Sequence, residues 1–498
     1  MGMGMFGFGS GKTYDVVVVG NGALGCSLAY ALRLRDSSLS IAIVGPSDRT
    51  GGATVTAGAM INVWAEIAKG QFDNPAMSDR AELGIRAFGL WDGWCEALSE
   101  FSVQPLSVRW GTYVINNAMG SPHEVDTVDY QLDVMRQRGV PHELCSPNGI
   151  PWLKPDPHAQ ISRVVRVPDG RIDPRQLLQA CERFFAARKV TSFNTTVTRV
   201  EAGAGGKAGG AKSVLLADGS KLSAKHVVLA NGSFAQALVD QLPDVKRATP
   251  RLVWGAGSGL DISLPPWVHK YGGLDRSIFD IDHVIRTVDR GGACGVHLVP
   301  YGDGEYYLGA SSGVWMEPES KPRVHAIHVL LRAIAEEING AFFFATFSMR
   351  GPGFRPTTID GFPLLGESVL PGIWFANGTK RDGFTISPLV ARELASAILG
   401  GTAALPSRFQ PTRNLISYKN KAAALDDTVT ADFGGEVQHG LALPPYATAS
   451  YRAAKRAKAE AVYDKRGIAD FGIHPEMLHL YDNDEFFATV DHPRESVA

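Results

Sequence analysis

The feature that most constrains this chain is a run of four valines, Val16 to Val19, ending in Gly20-Asn21-Gly22-Ala23-Leu24-Gly25. Consecutive β-branched residues read as a buried parallel strand, and Leu24, Leu28, Ala31 and Leu32 keep helical spacing behind it. A second apolar strand, Ile41 to Val44, closes a βαβ unit of about 30 residues. In that context each glycine has a separate task. Gly20 permits the tight turn, Gly22 lets the backbone approach a pyrophosphate, and Gly25 lets helix and strand pack closely. Ala23 and Leu24 open the helix, whose N–H groups and dipole favour phosphate.

An acidic residue normally ends the second strand and takes the ribose hydroxyls. Here Val44 is followed by Gly45, Pro46, Ser47 and Asp48. Asp48 is the expected ribose contact from a longer loop, with Ser47 or backbone as the alternatives. Without a Glu at the strand end, the motif alone does not separate FAD from NAD or NADP.

Composition excludes several classes. The 498 residues carry 49 Lys and Arg against 51 Asp and Glu, a net charge of −2, so no basic nucleic-acid footprint is present. A 45% hydrophobic content with 20% charge buries a core. The cysteines at 26, 95, 145, 181 and 294 form no CxxC pair, so neither a disulfide framework nor a metal site is expected and a reducing, cytoplasmic location is. No apolar run is long enough for a membrane span. The first fourteen residues lack the features of a secretory signal. Gly11-Lys12-Thr13 imitates the end of a P-loop, but Phe6 stands where a Gly is required and the segment precedes a strand.

Further along, Ile85, Phe88, Leu90, Trp91 and Trp94 mark helix, and Ser107 to Asn116 reads as a strand. Asp173-Pro174 opens an amphipathic helix through Leu177, Leu178, Cys181, Phe184 and Phe185. A strand through Val197 and Val200, a turn from Gly203 to Gly210, a strand Ser213 to Leu216 and the run His226 to Ala230 then end at Asn231-Gly232. That order suggests the third layer of a dinucleotide domain, with Val197 near the adenine edge and Asn231 and Gly232 as cofactor contacts or ordinary turn residues. From Arg251 to Thr346 short strands alternate with turns, followed by a helix from about 321 to 339. This is the expected substrate sheet. A basic helical run from Tyr451 to Arg466, interrupted by Glu460 and Asp464, reads as a solvated face.

Two later segments are the most specific: Gly353-Phe354-Arg355-Pro356-Thr357-Thr358-Ile359-Asp360-Gly361-Phe362-Pro363, and Phe375-Ala376-Asn377-Gly378-Thr379-Lys380-Arg381-Asp382-Gly383-Phe384-Thr385-Ile386-Ser387-Pro388. With the N-terminal glycine motif, Asp173-Pro174 and Ala230-Asn231-Gly232, the chain resembles the D-amino-acid oxidase superfamily of FAD enzymes, in its glycine oxidase and sarcosine oxidase branch, over residues 14 to 400. The resemblance implies an α/β, doubly wound, Rossmann-like FAD domain assembled from discontinuous segments (14–75, 161–245 and 351–400). It further implies an α+β substrate domain on an antiparallel or mixed sheet (76–160 and 246–350) and leaves a C-terminal extension, 401–498.

The resemblance also implies roles. Asp360 and Gly361 would pass close to the isoalloxazine, and Gly383, Phe384 and Thr385 would lead into a helix ending near Leu399 whose N-terminus faces the flavin. Arg355 is expected to pair with a substrate carboxylate, a structural ion pair being the alternative. Arg381 matches a second basic position, while Thr379 stands where the family often has His. No Cys lies between Phe344 and Arg355, so the FAD is expected to be noncovalent.

The function expected is oxidation of the C–N bond of an amino acid or related amine, with oxygen or another acceptor taking the electrons. Two alternatives stand beside it. One is a 2-hydroxy-acid dehydrogenase or oxidase, which needs a base such as His or Glu beside the flavin. The other is a flavin-bearing assembly subunit whose extension recruits a partner. A homo-oligomer is left open.

Overall fold

The computed structural model describes residues 13–117, 122–203, 210–265, 267, 276–288, 295–438 and 441–490. The N-terminal leader with its P-loop imitation, except Thr13, and the middle of the Gly203 to Gly210 turn lie outside the described residues.

The valine run forms the centre of a parallel sheet. Thr13–Val19 pairs in parallel with Ile41–Val44 on one side and Lys221–Leu229 on the other. Ile373–Asn377 and Thr191–Phe193 extend the sheet outward, again in parallel. The antiparallel strands Leu364–Glu367, Lys212–Leu216 and Val197–Glu201 complete eight strands among the described residues. On one face the helices Ala23–Arg35, Pro174–Ala187 and Ser387–Ile398 pack through Leu28, Leu32, Leu178 and Leu394. The other face is covered by Val200, Val214 and Leu216 of the antiparallel strands Val197–Glu201 and Lys212–Leu216, together with the helix Ala235–Val239. Segments far apart in sequence therefore build one doubly wound layer, as expected.

The second sheet is mixed. It runs Thr346–Met349, Leu260–Ser263, Glu305–Gly309, His297–Gly302, Val284–Thr287, Arg109–Asn117, Ile161–Arg171 and Met60–Ile61, with Glu143–Cys145 beside Ile161–Arg171. Among the described residues only the pair Val284–Thr287 and Arg109–Asn117 is parallel. The helix Val324–Arg332, continued by a π-helical turn Ala333–Ile338, covers one side. Two expected boundaries move. Ile161–Arg171 belongs to this sheet, because it pairs antiparallel along the length of Arg109–Asn117, instead of opening the second cofactor segment. The strand Gly353–Thr358 pairs with Leu252–Gly257 in a separate three-stranded sheet with Gly313–Trp315.

The extension contributes the helices Lys421–Gln438 and Pro445–Arg466 and a short helical segment, Pro475–Asp482. Its buried residues Val462, Tyr463, Met477, Leu480, Tyr481 and Phe486 form one cluster with Val253, Val314 and Ile359 on the three-stranded sheet. An aromatic ring removes about 150–250 Å² from water, so this surface is core and not a loose tail.

Candidate functional site

The two large sheets and the small one enclose a cavity of about 690 Å³, within the range of cofactor and ligand sites. Its floor is the glycine turn. Gly20 adopts φ +110°, and a Cβ there would overlap the Ala230 carbonyl. A Cβ on Gly25 would overlap the Gly20 carbonyl. The helix Ala23–Arg35 begins at Gly22 with no side-chain cap, and the Ala23 N–H reaches the Thr54 hydroxyl at 3.0 Å. Gly20, Gly22, Ala23 and Leu24 all line the cavity.

Val197, Asn231 and Gly232 line it as well, Asn231 with a buried Oδ1 that has no hydrogen-bond partner among the described residues. Gly383, Phe384 and Thr385 form the opposite rim. Phe384 stacks on Trp91 at 5.2 Å, and the Thr385 carbonyl accepts from the Trp91 indole at 2.9 Å. The helix that follows, Ser387–Ile398, starts without a side-chain cap and leaves the Ser387 hydroxyl buried and without a partner among the described residues.

Three expected residues are placed elsewhere. Asp48 turns back to accept from the Thr50 hydroxyl at 2.8 Å and is not part of the cavity wall. Arg49 takes that place, in a left-handed conformation, bonding the Asn21 carbonyl at 3.0 Å and pairing with Glu182. Asp360 is fully buried away from the cavity. Arg413 of the extension meets it at 2.8 Å, and the Ile416 and Phe362 amides donate to its oxygens. Gly361, at φ +80°, faces the His474 ring instead of the cavity. Arg413 and Ile416 of the extension hold this turn, and no sequence signal in the turn announces it.

Arg355 lines the cavity from the strand Gly353–Thr358. Its Nη2 donates to the Ser311 carbonyl at 3.0 Å and its Nη1 to the Ala256 carbonyl at 3.4 Å. Among the described residues no carboxylate pairs with it, so the structural ion pair is not what the fold builds there. Arg381 lies 3.7 Å from Glu66, whose other oxygen accepts from Arg286 at 2.6 Å. Glu66, Arg286, His297, Tyr307, Lys380 and Met60 complete this end of the cavity.

Glu66 and His297 were not legible as site residues. Glu66 is set by a buried cap: Asp169 accepts from the Val63, Trp64 and Ala65 amides at 2.8–3.1 Å and fixes the turn that carries it. The His297 ring stacks on Tyr307 at 5.7 Å, with Nδ1 3.0 Å from the Gly295 carbonyl. Of the aromatics flanking the substrate sheet, Tyr307 reaches the cavity, whereas Tyr306 points into the opposite core toward the Ile278 carbonyl.

A strand, a glycine turn and an uncapped helix beneath an arginine-bearing roof define a dinucleotide-binding site. The chain belongs to the DAO family of FAD dependent oxidoreductases, which matches residues 15–397. It is 25% identical over 418 residues to the bifunctional protein ThiO/ThiG of Synechocystis sp., covering 81% of this chain and 55% of that one. The chain thus spans about half the length of that relative. It is 24% identical over 410 residues to glycine oxidase of Bacillus licheniformis, covering 78% of this chain and 94% of the relative. The glycine oxidase structure from Geobacillus kaustophilus superposes with a TM-score of 0.65 at 20% identity, over 81% of this chain and all of that one.

The residues present fit FAD: a turn closed to any Cβ, an uncapped helix start for the pyrophosphate, and the orphaned Asn231 oxygen. Among the described residues no helix is long and apolar enough to cross a membrane, and no cluster of three or more His, Cys, Asp or Glu is arranged to hold a metal.

Proposed function

We propose that this protein oxidises the C–N bond of an amino acid or related amine carrying a carboxylate. When bound, FAD supplies the two-electron acceptor, and oxygen or another acceptor restores it. Everything else falls to the chain. The Arg355 guanidinium, held by two backbone carbonyls and unpaired with any described carboxylate, presents its fork to the substrate carboxylate. Arg381 adds a second positive charge, oriented by Glu66. Tyr307 and Met60 supply apolar wall that excludes water around the reacting carbon. Fixing the carboxylate in this way orients the α-hydrogen, and orientation is the main contribution such a site makes to rate.

The observation that carries this reading is that a cavity-lining arginine has no carboxylate partner among the described residues. Replacing Arg355 by Ala in the FAD-loaded protein tests it. Loss of a charge-assisted fork raises KM for the carboxylate substrate about 100-fold while the yellow colour stays; unchanged KM removes Arg355 from the site.

His297 gives the 2-hydroxy-acid reading a specific footing, because an alcohol donor needs a base and an imidazole lines the cavity. Under that reading His297→Gln abolishes turnover of a hydroxy acid, whereas amine oxidation retains most of its rate. The assembly-subunit reading loses ground because the extension spends its apolar surface on this chain's own small sheet.

A further inference from the structure

We infer that Glu476, on the extension beyond the family match, is a positioning residue that holds both carboxylate-binding arginines in register. The inference rests on the proposed role of Arg355 and Arg381. One Glu476 oxygen pairs with Lys380 Nζ at 2.7 Å, with the two side chains only 9% and 4% exposed. Lys380 immediately precedes Arg381, and its backbone takes a left-handed φ of +50° that a non-glycine residue holds only when its surroundings impose it. Its amide donates to the Pro356 carbonyl at 2.7 Å, directly beside Arg355.

The other Glu476 oxygen accepts from the Ser312 hydroxyl at 3.4 Å. Ser311, the preceding residue, holds Arg355 through its carbonyl. One carboxylate therefore spans the two loops that carry or brace the two arginines. The short segment bearing it is anchored separately. His474 caps it by accepting from the Glu476 amide at 3.2 Å, His479 lies 2.7 Å from the Val314 carbonyl, and Met477 is fully buried. Removal of the Glu476 charge thus leaves the segment docked while freeing Lys380 and the Arg381 loop. A displacement of this kind lowers affinity at the site without touching the ligand.

The test measures binding of acetate, a bare carboxylate, to the FAD-loaded protein by its perturbation of the visible flavin band. Glu476→Gln raises the acetate Kd about tenfold at unchanged FAD content, and Glu476→Asp recovers part of the loss. Equal Kd in wild type and Glu476→Gln overturns the inference, as does a wild type that binds no acetate. A purely structural role lowers the melting temperature and leaves Kd alone, which also overturns it. Should Glu476→Gln not retain flavin, Ser312→Ala removes one contact and spares the buried pair: a two- to threefold rise in acetate Kd, about the worth of one weak neutral hydrogen bond, supports the inference and no rise overturns it. Failure of the amine reading shows separately, as a wild-type flavin that no amine bleaches, and the acetate comparison still reports on the arginines.

Discussion

The guanidinium of Arg355 lies flat across Gly257, so that a Cβ at that position would overlap its Nη2. A neighbouring strand residue without a side chain is what lets this arginine reach the cavity. Gly257→Ala therefore pushes the guanidinium aside while the backbone stays in place, since the clash is with the end of a flexible side chain. We expect KM for the carboxylate substrate to rise about tenfold, with FAD content unchanged. Steady-state kinetics alongside the flavin-to-protein absorbance ratio checks this.

Gly20 gives the opposite result. At φ +110° and against the Ala230 carbonyl, Ala at this position is strained in its backbone and collides with backbone. Gly20→Ala should destabilise the fold by about 1–3 kcal/mol and yield protein with little bound FAD, measured by the absorbance ratio after desalting.

Asp360 and Arg413 form a buried pair, 0% and 5% exposed. Asp360→Ala strands the guanidinium away from water, a change that costs about 3–5 kcal/mol in comparable buried pairs. The melting temperature should fall steeply, while KM in the surviving folded fraction stays near wild type. A changed KM with normal melting would return Asp360 to the site.

Glu476 sets an acid limit. Burial alone would raise its pKa, but the Lys380 and Arg381 cations beside it hold the carboxyl at about 2, below its ordinary 4.5. His474 is itself driven well below its usual value by burial and by Lys380, and so stays neutral. A carboxyl with a lowered folded pKa contributes stability that is present above the unfolded value and lost as pH falls through the folded one. The part of the stability that Glu476 contributes should therefore be lost between about pH 4.5 and pH 2, and Glu476→Gln should flatten the slope in that window while leaving the loss that His474 brings as pH falls below about 6.5. Denaturant midpoints across the acid range measure it.

The cofactor half was legible because each of its parts is local. Val16 to Val19 and the glycines 20, 22 and 25 carry strand, turn and helix in one stretch, and the chemistry of that turn admits few substitutes. Arg355 and Arg381 were visible through the segments that bear them. Residues placed by long-range partners escaped. The Asp360 carboxylate is turned by Arg413, 53 residues later; Asp48 is replaced in the wall by Arg49, whose partner is Glu182; and Glu66 depends on a turn capped by Asp169. The split between the sheets was misread at Ile161–Arg171 for the same reason, since a strand's sheet is decided by its pairing partner.

Anaerobic mixing of the FAD-loaded protein with a panel of α-amino acids, simple amines and matching 2-hydroxy acids, followed at the visible flavin band, decides whether this site oxidises carboxylate-bearing amines. Bleaching by at least one carboxylate-bearing amine, and none by its hydroxy counterpart, is the expected result. Bleaching by hydroxy acids alone, or a protein that refuses flavin altogether, contradicts it.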